Sequence, residues 1–229
     1  TVNDVRPAFF TRAVAGFVSG TPNTQLLAFA EHHLAESSRS GSAPRCLDLG
    51  CGAARNALPL AALGYHVTAT DLSWPMLEGA RQRIAREGAT LPIELIHAPM
   101  TPLPFADGAF DLVVAHGIWN LARSGREFRS AISEAARVAA PGAGLFVFTF
   151  SRHTLADGAQ PDPGETFVFS SWNGDPCCFL TEAELVDELA AVGFTRDTPD
   201  ALTEYNRPAP NAVRASGPPV IYEGTWRRT

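Results

Sequence analysis

The chain has 229 residues, of which 45% are hydrophobic, and a formal net charge of -6 from 24 acidic and 18 basic side chains. This size and apolar content predict one domain over residues 1–229 with an ordinary buried core. No apolar run approaches the roughly 20 residues of a membrane-spanning helix, so no membrane partner is expected. The acidic balance, with no basic run longer than Arg227–Arg228, argues against a nucleic-acid partner.

The four cysteines predict neither a metal site nor a disulfide framework. Cys46, Cys51, Cys177 and Cys178 form no C-x-x-C pair, which is the usual spacing of a zinc site. The N-terminal residues show no charged segment followed by an apolar core, as a secretion signal would. We therefore expect a cytoplasmic protein with reduced thiols, either a monomer or a homodimer.

Strands and helices are predicted to alternate from residue 23 to residue 150. The helices are predicted at 23–36, 54–63, 74–87 and 126–139, and the strands at 45–50, 65–71, 93–97, 110–115 and 145–150. Gly64 ends the second helix, and Ser73 with Pro75 begins the third. This alternation is typical of a parallel sheet with helices on both faces.

The alternation breaks over residues 151–180, which are rich in Gly, Pro, Asp and Ser. A connection of about 30 residues exceeds the usual loop length and indicates a functional insert on the substrate side. Thr181 and Glu184 then form a capping box that opens a helix over 181–192. Two further strands are predicted near 195–205 and 219–227.

The segment from Cys46 to Asn56, CLDLGCGAARN, carries the strongest functional signal. A strand runs into a glycine turn and then a helix, an arrangement that lets a nucleotide-like ligand approach the backbone and free N–H groups. Asp48 at the strand end suits a ligand with an ammonium group. Asp71, 23 residues later at the end of the second strand, can accept hydrogen bonds from ribose hydroxyls. Arg55 occupies the position where a dinucleotide-binding turn needs a small residue, which argues against a nicotinamide oxidoreductase.

Four segments, LDLGCGAARN, ATDLS, LPFADGAFDLVVAHG and RVAAPGAGLFVF, resemble the class I S-adenosylmethionine-dependent methyltransferases. The resemblance is strong over 45–150 and weaker over 181–227. It implies an α/β fold with a Rossmann-like, doubly wound, seven-stranded sheet, mostly parallel with an antiparallel last strand. It also implies S-adenosylmethionine as the cofactor. The residues that it assigns to the cofactor are Asp48, Gly50, Cys51 and Gly52 for the methionyl end, Asp71 for the ribose, Leu72 and the Met100 backbone for adenine, and Ala115.

Two positions depart from the family pattern. Ala54 stands where the family has a third glycine, a mild change. Pro99 stands four residues before LPF, where the family often has an acid that bonds the adenine amino group. The second departure removes a side-chain bond to adenine but leaves the predicted fold intact.

Residues that follow the fourth and fifth strands are the candidates for the reaction itself, because ligands bind beyond the carboxyl ends of parallel strands. His116 and His153 are candidate general bases for a protonated acceptor. Trp119 is predicted to form a wall of the substrate pocket. Phe9 and Phe10, within an N-terminal helical or lid segment over 1–44, could close over the crevice, and Tyr205 could lie at its mouth beside Glu204 and Asn206.

The sequence therefore predicts a methyltransferase that acts by direct displacement on an oxygen, nitrogen or sulfur atom of a small-molecule acceptor. The alternatives are a methyltransferase with a peptide or protein acceptor and a non-catalytic module that binds S-adenosylmethionine. Binding of NADH would instead favour an oxidoreductase, and cofactor binding without any turnover would favour the non-catalytic module.

Overall fold

A computed structural model describes residues 20–37, 43–207 and 217–229 of the chain. Its helices are α1 (Thr24–Ser37), α2 (Ala57–Leu63), α3 (Trp74–Glu87), α4 (Gly125–Val138) and α5 (Glu182–Ala191). Its strands are β1 (Arg45–Leu49), β2 (His66–Asp71), β3 (Ile93–His97), β4 (Phe110–His116), β5 (Ala139–Phe150), β6 (Val168–Phe169), β7 (Cys177–Cys178), β8 (Phe194–Arg196), β9 (Thr203–Tyr205) and β10 (Ile221–Arg228). The predicted alternation of strands and helices is confirmed.

The central sheet has the order β3-β2-β1-β4-β5-β10-β8, with β9 also paired to β10. Strands β1 to β5 are parallel, whereas β10 runs antiparallel to β5 and β8. The Rossmann-like fold with an antiparallel last strand is thus confirmed. One detail was wrong: the single strand predicted near 195–205 is two short strands, β8 and β9, which pair with different parts of β10.

Two hydrophobic clusters cover opposite faces of the sheet. On one face, α1, α2 and α3 pack on strand residues such as Cys46, Leu112 and Phe146. On the other face, α4 and α5 pack on their sequence neighbours Leu47, Val113 and Leu145. Alternate strand residues therefore serve opposite faces, as expected of a sheet that is buried on both sides.

Local capping explains where most helices begin. The Ser73 Oγ accepts a hydrogen bond from the Met76 N–H at 3.4 Å, and Thr181 and Glu184 form the predicted capping box at the start of α5. Helix α2 begins at Ala57 rather than at residue 54 because Ala54 has a left-handed backbone, with φ of 59°. The predicted helix start was therefore three residues early.

The segment 151–180 is folded rather than an open loop. Strands β6 and β7 pair antiparallel, and an isolated bridge joins Ser151 to Leu180. Phe169 and Phe179 are buried in a small cluster against Phe150. Its role as a substrate-side insert stays a prediction.

Within the described ranges, no helix combines the length and apolar character needed to cross a membrane. In the same ranges, no three His, Cys, Asp or Glu side chains are grouped so that they could hold a metal ion.

Candidate functional site

The glycine turn after β1 has one packed side and one open side. Gly50 and Gly52 have φ of 65° and 54°, a region that L side chains rarely adopt. A Cβ on Gly50 would lie 2.7 Å from the Ile118 side chain, whereas one on Gly52 would meet nothing within 4 Å. The Cys51 N–H donates to the Thr70 carbonyl at 2.9 Å and so fixes the turn to β2. A ligand can therefore approach the backbone at Gly52.

Asp48 is a carboxylic acid that is buried near the carboxyl end of β1. Its side chain is 1% exposed, and its Oδ2 has no hydrogen-bond partner among the residues that the structure describes. Burial raises the pKa of Asp48 to about 7, Arg55 opposes this rise, and Asp71 adds to it. An orphaned buried carboxylate oxygen fits a ligand that supplies a positively charged donor, such as an ammonium group.

Asp71, at the end of β2, holds the glycine turn in place. Its Oδ2 accepts from the Gly52 N–H at 2.9 Å, and its Oδ1 accepts from the Ser73 N–H at 2.8 Å. Burial raises the pKa of Asp71, against the lowering effect of these two backbone hydrogen bonds. The hydrogen bond from Gly52 thus joins Asp71 to the turn that follows Asp48 in the chain.

The remaining predicted cofactor residues lie at or just after the carboxyl ends of β2, β3 and β4. The Leu72 carbonyl accepts from His97 Nε2 at 2.9 Å, and the Trp74 ring stacks on His97 with centroids 4.4 Å apart. Ala115 is buried in β4 in register with Leu49, and Met100 packs against the hydrophobic cluster on the α4 face. Direct contact of Leu72, Met100 and Ala115 with a cofactor stays a prediction.

His116, at the carboxyl end of β4, is placed as a hydrogen-bond acceptor. Its Nε2 lies 3.3 Å from Asn23 Nδ2, and the Arg55 guanidinium lies 3.1 Å from its Nδ1. Burial, followed by the charge of Arg55, lowers the pKa of His116 to about 3. The expectation of a base with a near-neutral pKa is therefore contradicted at His116, because burial and a cation both oppose proton uptake.

His153, after β5, has the geometry of an oriented base. Its Nδ1 lies 2.6 Å from Glu204 Oε1, which also accepts from the Ser151 hydroxyl at 2.8 Å. Burial alone would raise the pKa of Glu204, but the hydrogen bonds from His153 and Ser151 outweigh it, and the pKa is lowered. An ionised Glu204 keeps the proton of His153 on Nδ1, so that Nε2 carries the lone pair and faces the Arg207 guanidinium at 3.4 Å.

The four predicted substrate residues have different outcomes. Trp119 is 1% exposed and packs edge-on against Phe128, so the structure places it in the core instead of a pocket wall. The Tyr205 hydroxyl donates to Glu223 Oε1 at 2.7 Å, and burial followed by this bond raises the pKa of Tyr205 to about 12. Phe9 and Phe10 lie outside the described residues.

Sequence reasoning missed Asn23 and Glu223. Asn23 Nδ2 donates to Glu223 Oε2 at 2.6 Å and also approaches His116, while Asn23 Oδ1 accepts from the Leu26 N–H. Glu223 is 4% exposed. A signal did exist, since Glu223 is an acid within the run IYEGTW, part of a predicted strand.

Residues 47–148 match a family model described as a methyltransferase domain. By this match, residues 47–148 form a methyltransferase domain, which is a little under half of the chain. The demethylmenaquinone methyltransferase of Clavibacter sepedonicus is 39% identical over 108 residues, which are 47% of this chain and 41% of the relative. The chain thus spans less than half the length of this curated relative.

Solved structures support the fold of this methyltransferase domain over most of the chain. The 1,6-didemethyltoxoflavin-N1-methyltransferase of Burkholderia thailandensis, solved with 1,6-didemethyltoxoflavin and S-adenosylhomocysteine, has a TM-score of 0.62 at 20% identity. The match covers 89% of this chain and 78% of that one. An S-adenosylmethionine-dependent methyltransferase from Methanosarcina mazei has a TM-score of 0.63 at 22% identity. The match covers 85% of this chain and 96% of that one.

Proposed function

We propose that the protein transfers the methyl group of S-adenosylmethionine to an oxygen, nitrogen or sulfur atom of a small-molecule acceptor. The observation that carries the proposal is that Oδ2 of buried Asp48 has no hydrogen-bond partner among the described residues. Asp48 lies on the strand that leads into the open glycine turn, and Asp71 holds that turn. This set offers an anion for the methionyl ammonium, open backbone for the methionyl chain and an acceptor for ribose hydroxyls.

The bound cofactor supplies an electrophilic methyl group on a sulfonium. The protein has to hold the cofactor and the acceptor in line and exclude water. Asp48 would bind the ammonium, and Asp71 would bind the ribose while its hydrogen bond to Gly52 holds the turn. Leu72, Met100 and Ala115 would line the cofactor site.

His153 is our candidate for the base that removes the acceptor proton. Its Nδ1 is held by Glu204, and its Nε2, which lies 3.4 Å from the Arg207 guanidinium, would take a proton from a hydroxyl, thiol or protonated amine that displaces this contact. The half-exposed His153 lies directly after β5, where ligands bind in sheets of this kind. His116 would then act by position alone, because burial and the adjacent Arg55 guanidinium both oppose its protonation and lower its pKa to about 3.

Several features support a small-molecule acceptor. The names of the Clavibacter and Burkholderia proteins both refer to methylation of small molecules. The segment 151–180 would cover the acceptor side, with Trp172 and Tyr205 near the crevice. We expect a cytoplasmic location, in which the four buried cysteines stay reduced. We expect a monomer or a homodimer.

Calorimetric titration with S-adenosylmethionine and, separately, with NADH tests the proposal. We expect micromolar binding of S-adenosylmethionine and no binding of NADH, because Asp48 offers an anion to an ammonium and would repel a pyrophosphate. A screen of phenols, amines and thiols for methyl transfer then tests the activity. Binding of NADH without binding of S-adenosylmethionine would overturn the proposal. Tight cofactor binding without turnover on any acceptor would favour the non-catalytic alternative.

A further inference from the structure

Glu223 lies in the row of side chains directly beyond the row that contains Asp48. In register, Asp48 pairs with Val114, which pairs with Phe146 on β5. Two residues further along, His116 pairs with Phe148, which pairs with Glu223. Directly paired residues share a face of the sheet. His116, Phe148 and Glu223 therefore form one row at the carboxyl ends of β4 and β5, on the face that carries Asp48.

The Glu223 carboxylate is buried with only neutral donors. Asn23 Nδ2 donates to one oxygen at 2.6 Å and the Tyr205 hydroxyl donates to the other at 2.7 Å. Among the residues that the structure describes, no arginine forms an ion pair with Glu223, and the chain has no lysine. A buried carboxylate needs a positive partner to offset the loss of its hydration, and each oxygen keeps a lone pair for one.

The surroundings of Glu223 also favour a cation. The Phe148 ring stacks on His116 at 4.1 Å between centroids and lies 6.5 Å from the Tyr205 ring. Aromatic rings beside a carboxylate are a common setting for ammonium groups. Two strand spacings separate β4 from β10, so Glu223 lies about 10 Å from the end of β4. At that distance it would contact the far end of an acceptor rather than the atom that is methylated.

We propose that Glu223 is a specificity-determining residue that binds a protonated amino group at the end of the acceptor remote from the methylated atom. This inference deepens the proposed function and rests on it, since it assumes that the acceptor occupies the crevice beyond β4 and β5. It assigns the acceptor to the class of small amine-bearing molecules, such as aromatic amines with a separate nucleophile.

Binding measurements with two matched probes test this proposal without turnover. Tyramine and 4-ethylphenol share a substituted phenol, but only tyramine carries an ammonium group. We expect the protein saturated with S-adenosylhomocysteine to bind tyramine at least about tenfold more tightly, because a buried charge-assisted hydrogen bond is worth that factor or more. We expect Glu223→Gln to reduce this preference to about twofold or less. Equal affinities in the wild type, a preference that survives in Glu223→Gln, or no binding of either probe would overturn the proposal.

Two further variants keep the test decisive. Glu188→Gln changes a surface carboxylate that pairs with Arg129, and it should leave the tyramine preference unchanged. Tyr205→Phe removes one neutral donor from Glu223 but keeps its charge, so the preference should equal or exceed that of the wild type. A weakened preference in Tyr205→Phe would overturn the proposal even if Glu223→Gln did not fold. Titration with S-adenosylmethionine in the same experiments shows separately whether the proposed function fails.

Discussion

The proposed cofactor side and the proposed acceptor side of the crevice are built in different ways. On the cofactor side, the bond from the Gly52 N–H to Asp71 joins residues 19 positions apart, within one strand–helix–strand unit. On the acceptor side, the bond from Asn23 to Glu223 spans 200 positions, and the bond from Ser151 to Glu204 spans 53. The cofactor side is held by contacts between residues that are close in sequence. The acceptor side forms only after strands from distant parts of the chain have paired.

The residues of the proposed acceptor side lie on both faces of the sheet, because successive residues of a strand point to opposite faces. In the β9–β10 pair, Glu204 lies opposite Tyr222, and the neighbouring Glu223 lies opposite Thr203. Successive residues point to opposite faces, so the Glu204 group with His153 and the Glu223 group with His116 lie on opposite faces of the same two strands. One short strand pair therefore holds the two acids, Glu204 and Glu223, on separate faces of the sheet.

The largest expected effect is a difference in kcat between the variants of His153 and His116. His153→Gln should lower kcat by about 100-fold or more, because a positioned general base contributes about that much, and the pH dependence of kcat should flatten. His116→Gln should stay within about tenfold of the wild type, since a pKa of about 3 makes His116 a poor base. Steady-state rates across pH with an acceptor from the screen measure both. A greater loss in His116→Gln than in His153→Gln would reverse our assignment.

Asp71→Asn should weaken S-adenosylmethionine binding by about 100-fold, because it removes a charged acceptor from both the Gly52 N–H and the ribose. Asp111→Asn is the matched control: Asp111 accepts from the Arg45 N–H at the other end of the strands and should not alter affinity. Calorimetric titration of both variants with S-adenosylmethionine measures the two affinities. Similar affinities for the two would show that the cofactor does not contact Asp71.

Asp48→Asn should increase the free energy of unfolding by up to about 4 kcal/mol at pH 8 while weakening cofactor binding. The folded protein keeps the Asp48 proton up to about pH 7, whereas the unfolded chain loses it near its ordinary pKa of 3.8. The wild type should therefore lose stability as pH rises from about 4 to about 7, and the variant should lose less. Denaturant titrations at several pH values measure this. Parallel pH profiles for the two proteins would contradict a buried, proton-holding Asp48.

The smallest effect is expected at Trp119. Because Trp119 is in the core and its indole N–H has no partner among the described residues, Trp119→Phe should cost about 1 kcal/mol of stability. The kcat/KM of Trp119→Phe, measured with an acceptor from the screen, should stay within about threefold of the wild type. A specific loss of acceptor affinity, with unchanged stability, would restore Trp119 as a pocket wall.

The sequence predicted those parts of the fold that depend on neighbouring residues. The glycine turn, the Ser73 cap and the Thr181–Glu184 capping box each follow from short-range chemistry, and the structure contains all three. The start of α2 was misplaced because a left-handed residue such as Ala54 carries no clear mark in sequence. Alternating strands and helices also predicted most of the sheet.

The acceptor side could be predicted only in part. His153 was identified because it follows a strand, but its partner Glu204 depends on the pairing of β9 with β10. Trp119 was misplaced because a position after a strand does not fix the direction of the side chain. Asn23 and Glu223 meet across nearly the whole chain, and no local pattern links them.

The position of β10 inside the sheet has a consequence for how the protein is made. Strand β5 ends at residue 150, and its partner β10 begins only at residue 221. A ribosome that adds about 5–20 residues per second needs on the order of ten seconds to synthesise the intervening chain. During that time β5 presents an open, hydrophobic edge, a typical starting point for aggregation and a natural binding site for a chaperone.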